Sequence, residues 1–268
     1  MKYMGNASVF QRVEKKYQMS EEQYARFLQK TKELIHEDEF GLHTIHNIYF
    51  DTPNYGLIRS SLEKPKYKEK FRMRGYGTVT QDSEIFLEIK KKYQGVVYKR
   101  RTCVSYKEAE RYVSEGVLPE GSDQIMREID YFFQFYKPQP QVYLAYDRVA
   151  YVGNEDDQLR ITIDRNIRSR YERLELGYTG GCRSLNPGTY LMEIKVAMAY
   201  PVWLSRILAE LQIYPISFSK YGNVYANSVL SGELHPWLRE AGGQQMSENR
   251  KKQREKEKES CLQVYSAV

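Results

Sequence analysis

Along most of this chain, apolar and charged residues alternate one for one. In 67–77, Lys70, Arg72 and Arg74 interleave with Phe71 and Met73. In 83–93, Glu88 and Lys90 interleave with Leu87 and Ile89, and in 189–197, Glu193 and Lys195 interleave with Met192, Ile194 and Val196. A period of two is that of a strand, whose successive side chains point to opposite faces. The pattern predicts strands over 9–17, 44–51, 67–77, 83–93, 96–104, 141–153, 157–164, 168–176 and 189–197. The runs 83–93 and 96–104 meet across Gln94-Gly95 as a hairpin, which makes the sheet largely antiparallel. Helical spacing is rarer. Ser20-Glu21-Glu22-Gln23 is a capping box that opens an amphipathic helix running to Glu37, and Ser105 with Glu108 opens a second. Asp123 opens a third that stops before Pro138, and Pro201 opens a fourth.

The charged faces of these strands are unusual. A half-buried strand normally turns short polar groups of mixed sign to water. Here long cations stand mid-strand, often with a carboxylate two residues away: Arg12, Glu14 and Lys16 in the first strand, Tyr146 and Arg148 in 141–153, Arg160 and Asp164 in 157–164. A surface ion pair accounts for any one strand alone, but not readily for all of them. If the faces pointed outward, they would form a platform for single-stranded nucleic acid. If they point inward, the sheet closes into a barrel whose lumen is charged and whose apolar outside is covered by helices. Burying cations without partners is costly, and a polyanion in the lumen offsets that cost. The interleaved glutamates are hard oxygen ligands suited to Mg²⁺ or Mn²⁺. Cations for phosphate oxygens plus a few carboxylates for metal amount to a triphosphate site.

Composition narrows the classes. The chain has 268 residues, 41% hydrophobic, enough for a core, and 24 tyrosines that favour sheet. A net charge of +6 is too mild for a general nucleic-acid coat and fits one concentrated anion site, so no nucleic-acid partner is expected. Apolar runs fall far short of a membrane-spanning helix, and the N-terminus lacks an apolar signal core, so a cytoplasmic protein is expected. Cys103, Cys182 and Cys261 are too far apart in sequence for a disulfide framework or a zinc site. The four histidines, His36, His43, His46 and His235, fall at helix ends, loops or strand edges and read as structural or exposed. The stretch Ser247–Ser260 has no apolar residue, so the expected organisation is a domain over 1–240 followed by a charged helical or disordered tail over 241–268. A nucleic-acid arm is the competing reading of that tail, opposed by its mixture of charge signs.

In order along the chain stand R-V-E-K-K-Y (Arg12 to Tyr17), I-Y-F-D-T (Ile48 to Thr52), F-R-M-R-G-Y-G (Phe71 to Gly77), F-L-E-I-K (Phe86 to Lys90), A-Y-D-R-V-A-Y (Ala145 to Tyr151), R-I-T-I-D (Arg160 to Asp164), L-M-E-I-K-V (Leu191 to Val196) and F-S-K-Y (Phe218 to Tyr221). This set resembles the VTC-type polyphosphate polymerase domain, one of the triphosphate tunnel metalloenzymes alongside the CYTH proteins. The resemblance implies an α+β fold: a closed eight-stranded antiparallel β tunnel, a barrel with a charged lumen and helices packed outside. It also implies transfer of the γ-phosphate of ATP to a growing polyphosphate chain, with Mn²⁺ or Mg²⁺ as cofactor and release of ADP. On that basis Lys195, Lys220, Arg148 and Arg160 are the expected catalytic residues. The same four, with Lys16, Arg72, Arg74, Lys90, Lys99, Arg101, Ser219 and Tyr146, are the expected phosphate ligands. Glu193 is the expected metal ligand, with Glu14 and Glu88 as further candidates, although either of those two could instead hold a water. The run Lys99-Arg100-Arg101 leaves open which residues face inward.

Two departures matter. Arg12 stands where the hydrolytic tunnel enzymes carry the first Glu of E-x-E-x-K, which favours the polymerase branch. Ser217 stands where a lysine precedes F-S-K in the polymerase pattern. Neither the N-terminal SPX regulator nor the transmembrane anchor found with the eukaryotic polymerase is expected in this chain. A tunnel triphosphatase, a non-catalytic polyphosphate binder and a single-stranded RNA platform remain the alternatives.

Overall fold

The computed structural model describes residues 13–94, 96–230 and 232. Its strands are β1 (Val13–Met19), β2 (Ile35–Glu37), β3 (His43–Asp51), β4 (Tyr67–Tyr76), β5 (Glu84–Tyr93), β6 (Val96–Ser105), β7 (Gln139–Gly153), β8 (Arg160–Arg170), β9 (Arg183–Ser184), β10 (Tyr190–Val196) and β11 (Pro215–Ile216). Its helices are α1 (Glu21–Thr31), α2 (Gly56–Leu62), α3 (Tyr106–Glu115), α4 (Gln124–Tyr136), α5 (Val202–Glu210) and α6 (Lys220–Leu230). The chain falls into two units, Met1–Tyr221 and Gly222–Val268, and every strand belongs to the first. The expected tail boundary at 240, the tail itself, Arg12, His235 and Cys261 lie outside the described residues.

The fold is α+β, built on one antiparallel sheet in the order β11-β1-β10-β8-β7-β3-β4-β5-β6, with β2 added to β7 and β9 to β8. Among the described residues eight strands are seven residues or longer. A closed barrel, however, is not what the pairing shows. The ladder starts at β11 and ends at β6, and among the described residues no pairing joins those ends. The physical reason lies in β11, a two-residue strand beginning at Pro215, which has no N–H to carry the ladder further.

Local chemistry explains where elements start and stop. Ser20 and Ser105 form reciprocal capping boxes with Gln23 and Glu108, and Asp123 accepts from the Met126 N–H, opening α1, α3 and α4 as expected. The first helix stops at Thr31 rather than Glu37, because Ile35–Glu37 pair with Tyr151–Gly153 of β7 instead. The two strands expected over 157–164 and 168–176 form the single strand β8, which stays on β7 through a bulge near Ala145 and Asp147. Gly75 is required by close approach: a Cβ there would sit 2.6 Å from Val79 Cγ2.

The alternating apolar residues pack on one side of the sheet only. Ile48, Phe50, Phe71, Met73, Leu87 and Ile89 meet Tyr112, Ile129 and Phe132 of α3 and α4. Tyr17, Ile161, Ile163, Met192 and Ile194 meet Phe27, Leu204 and Leu208 of α1 and α5. With α1, α3, α4 and α5 on that side, the alternating charges are left on the other. No helix among the described residues is long and apolar enough to cross a membrane.

Candidate functional site

The face of the sheet opposite α1, α3, α4 and α5 curves so that its two halves look at each other. Lys90 on β5 feels the charges of Glu14, Lys16 and Glu193 on β1 and β10. Lys70 on β4 lies 3.3 Å from Ser219 Oγ, and Lys16 reaches toward the Phe218 carbonyl. The concave face is therefore one site, with the segment 218–220 lying across it.

Its centre is Tyr146 on β7. The hydroxyl accepts from Arg74 Nη2 at 3.2 Å, while Arg148 and Lys220 lie over the ring at 5.3 and 4.4 Å. Burial pushes this phenol upward, but Arg74, Arg148 and Lys220 outweigh it and bring it down to about 8. Asp164 of β8 holds two of these cations. It accepts two parallel bonds from Arg148, 2.6 and 2.8 Å, and an ion pair from Lys220 at 2.5 Å. Burial opposes its ionisation, yet Lys220 and Arg148 keep this carboxyl well below the usual range.

A second group sits on β3, β4, β5 and β6. Glu88 accepts from Arg72 at 2.6 Å and pairs with Lys99 at 2.9 Å and Arg74 at 3.8 Å. Burial would raise it, but Arg72, Arg74 and Lys99 pull it down to about 2. Tyr49 and Asn47 of β3 accept from Arg72 Nη1 and Arg74 Nε at 2.9 and 3.0 Å. The guanidinium planes are thus fixed before any ligand arrives. A third group joins β1 and β10, where Glu14 lies opposite Lys195 and Lys16 opposite Glu193. Lys195 is 2.7 Å from Glu193, and Lys16 is 3.6 and 3.7 Å from Glu193 and Glu14. Burial works against Glu193, and Lys195 and Lys16 more than compensate, depressing its carboxyl.

The predicted residues are therefore mostly gathered, and the open parity of β6 is resolved by geometry. Lys99 turns to Glu88, Arg101 lies 4.5 Å over the Phe86 ring, and Arg100 points the other way, 2.8 Å from Glu128 of α4. Arg160 lies beside Lys195 in register but is exposed and has no carboxylate partner among the described residues. Among the carboxylates, Glu88 is not brought to Glu14 and Glu193. No group of three or more His, Cys, Asp or Glu side chains converges among the described residues. The Glu14 and Glu193 pair alone still fits Mg²⁺ or Mn²⁺, since such ions take one or two protein carboxylates and complete their shell with phosphate oxygens and water.

Sequence reasoning assigned no role to four residues that shape the site. Asn47 and Tyr49 fix the arginines, and the signal was their alternation with the buried Ile48 and Phe50. Lys70 shares the face of Arg72 and Arg74, yet burial lowers its ammonium to about 8 and no carboxylate among the described residues pairs with it. Asp51 is the structural member of the I-Y-F-D-T motif: it accepts from Leu57 N, Ile58 N and Tyr221 Oη at 2.8, 2.9 and 2.9 Å. It thereby caps α2 and pins Tyr221, whose ring stacks 4.8 Å from Tyr49, so that the neighbouring Lys220 projects into the site. Of the histidines, His46 is buried with Nδ1 2.6 Å from the Tyr143 hydroxyl, on the helix-covered side.

Proteins of known structure share the fold. A proposed adenylyl cyclase from Hippeastrum, described as revealing a dominant triphosphatase activity, is similar over 84% of this chain and 98% of its own, at 18% identity and a TM-score of 0.50. A proposed adenylate cyclase from Bacillus halodurans is similar over 78% of this chain and 93% of its own, at 16% identity and a TM-score of 0.48. At such identities the likeness bears on the fold alone. No curated protein sequence gives a significant match. The model of the VTC domain matches residues 11–229, which takes in all eight long strands and every residue of the concave site. This chain belongs to the VTC domain family.

Proposed function

We propose that this protein is a polyphosphate polymerase: it binds the triphosphate of ATP on the concave face and transfers the γ-phosphoryl group to an inorganic polyphosphate chain, releasing ADP. The observation that carries the reading is a surplus of unpaired cations. Arg72, Arg74, Arg148, Lys99, Lys195 and Lys220 have carboxylate partners, but Lys70, Lys90 and Arg160 have none among the described residues. A face that remains cationic after its internal pairs are formed selects a polyanion. Membership of the VTC domain family supports the same reading.

Phosphoryl transfer asks the protein for alignment and for stabilisation of charge spread over the phosphoryl oxygens. The guanidiniums of Arg72, Arg74 and Arg148, held by Glu88, Asn47 and Asp164, present paired N–H groups to phosphate oxygens with little reorganisation on binding. Lys195 and Lys220 serve the oxygens whose charge changes. An oxygen of the acceptor's terminal phosphate bonds to the γ-phosphorus, while the bond to the β–γ bridging oxygen breaks and its electron pair leaves with ADP. Because the acceptor is already ionised, no general base is required, and none of the histidines is needed. A divalent ion on Glu193 and Glu14 supplies further neutralisation of phosphate oxygens when bound. The tyrosines at the centre of the site, Tyr49 and Tyr146, are buried rather than offered as stacking surfaces, which weighs against an RNA platform.

The test is turnover of ATP with Mn²⁺ by the wild type, Lys195→Ala and Glu193→Gln. A polymerase loses ADP release and polymer together in both variants, by about a hundredfold or more, while phosphate-chain binding persists in Glu193→Gln. ADP matched by free phosphate would make the protein a triphosphatase, and binding without turnover in the wild type would make it a polyphosphate-binding module.

A further inference from the structure

The hairpin of β4 and β5 carries cations on both faces, and the two faces treat them differently. On the helix-covered face every cation is matched: Lys91 is 2.7 Å from Glu128 and 3.8 Å from Glu69, and Arg100 of the adjacent β6 is 2.8 Å from Glu128. On the concave face the register sets Lys68 directly opposite Lys92, and Lys70 directly opposite Lys90. Like charges facing each other across an antiparallel pair are destabilising. None of these four lysines forms an ion pair with a carboxylate among the described residues, so the sheet contains two consecutive rungs of facing like charges, offset only at longer range by Glu14 and Glu193 for Lys90 and by Asp51 for Lys70.

The rungs have a direction. Arg72 and Arg74 lie deeper in the site, Lys70 and Lys90 come next, and Lys68 and Lys92 come last, where β4 begins and β5 ends. There the chain entering β4 adds Lys64 and Lys66, and it is tied to the β5–β6 turn by the Gln94 N–H donating to the Lys66 carbonyl at 2.8 Å. Burial lowers the Lys68 ammonium, and Lys92, Lys64 and Lys90 lower it further, so these ammonium groups are close enough to feel one another. A fold that keeps like charges together at that distance gains by taking up an anion spanning several of them.

We propose that Lys68 and Lys92, with Lys64 beside them, form an outer binding track that engages phosphate units of a linear polyphosphate beyond the three held in the concave site. This rests on the reading of that site as a triphosphate site. The track makes the protein discriminate by length: a triphosphate reaches only the inner cations, while a longer chain also neutralises the outer rungs. Lysine suits this role, because a compact rotating ammonium tracks a mobile chain without the fixed bidentate geometry of arginine.

The experiment is calorimetric titration of the full-length protein with tripolyphosphate and with a polyphosphate of about fifty units, for the wild type, Lys92→Ala and Lys68→Ala/Lys92→Ala. The long chain is expected to bind the wild type more tightly per site than tripolyphosphate. Its affinity is expected to fall about fivefold or more in the double variant, and its log affinity against log salt to become shallower by about one. Tripolyphosphate affinity stays unchanged. Lys92→Ala is included because Lys68 also donates to the Ser61 carbonyl at 3.1 Å, and removing it alone mixes a folding effect with a binding one. Equal losses for both ligands, or no loss for the long chain, would overturn the outer track. Failure of the wild type to bind tripolyphosphate at all would instead overturn the triphosphate site on which it rests.

Discussion

Asp164 shows how one residue holds a site together. It is 1% exposed and serves both Arg148 and Lys220. Asp164→Asn keeps the shape but leaves two inward cations without their counter-charge, and is expected to destabilise the fold by about 3 kcal/mol in denaturant unfolding. The native carboxyl is depressed, so its stabilisation is full above the ordinary carboxylate value of about pH 4 and is lost as the pH falls toward the lower native one. Glu88, held at about 2, adds to the same acid limb. The Asp164→Asn variant is therefore expected to lose stability less steeply than the wild type below pH 4. An unchanged acid limb would remove Asp164 from this role.

At alkaline pH two other residues govern binding. Lys70 sits at about 8 because burial disfavours its ammonium, and Tyr146 sits at about 8 because Arg74, Arg148 and Lys220 outweigh burial. As pH rises through 8, the site loses a cation and gains a phenolate, both against an anionic ligand. Tripolyphosphate affinity is expected to fall above pH 8 by up to about tenfold per pH unit for each group, and less steeply in Tyr146→Phe. A flat profile between pH 7 and 9.5 would contradict the assignment.

Among the elements, β6 gives the sharpest test of which face matters. Adjacent residues point to opposite sides, so Lys99 meets Glu88 in the site while Arg100 meets Glu128 on α4. Lys99→Ala is expected to weaken phosphate-chain binding severalfold, whereas Arg100→Ala leaves binding intact and costs less than about 1 kcal/mol of stability, as a partly exposed ion pair does. Comparable losses of binding in both variants would mean that the assigned faces are wrong. The alternation that places these residues was legible in sequence for β4, β5 and β10, where one charged series interleaves with one apolar series. It was not legible in β6, because three consecutive cations carry no period. Nor were α2 and α6 foreseen; at α2 the N-cap residue itself, Tyr55, supplies no side-chain cap. The first turn of α2 is satisfied by Asp51, five residues before its start, and Tyr221 of α6 bonds to that same distant carboxylate.

For the molecule as a whole, sequence reasoning reached the antiparallel sheet and the packing of helices on its apolar face, and it expected the charged face to be the lumen of a closed barrel, which the pairing does not show. It reached them because burial of one face in each strand forces the other face to be shared. Closure of the sheet is a long-range property set by its terminal strands, and the two-residue β11 gave no periodic signal to read. The placement of Glu88 was hidden for a related reason: an E-x-K spacing is identical in β5 and β10, and only the neighbouring strands decide whether the carboxylate meets arginines or lysines. The central claim concerns what these faces do together, and it is tested most directly by phosphorus balance. The protein is incubated with γ-labelled ATP and Mn²⁺, with and without a short polyphosphate primer, and ADP, free phosphate and polymer are measured together. The account predicts label in polymer equal to the ADP formed, with the primer shortening any lag. Label recovered as free phosphate in the same amount as ADP would contradict it.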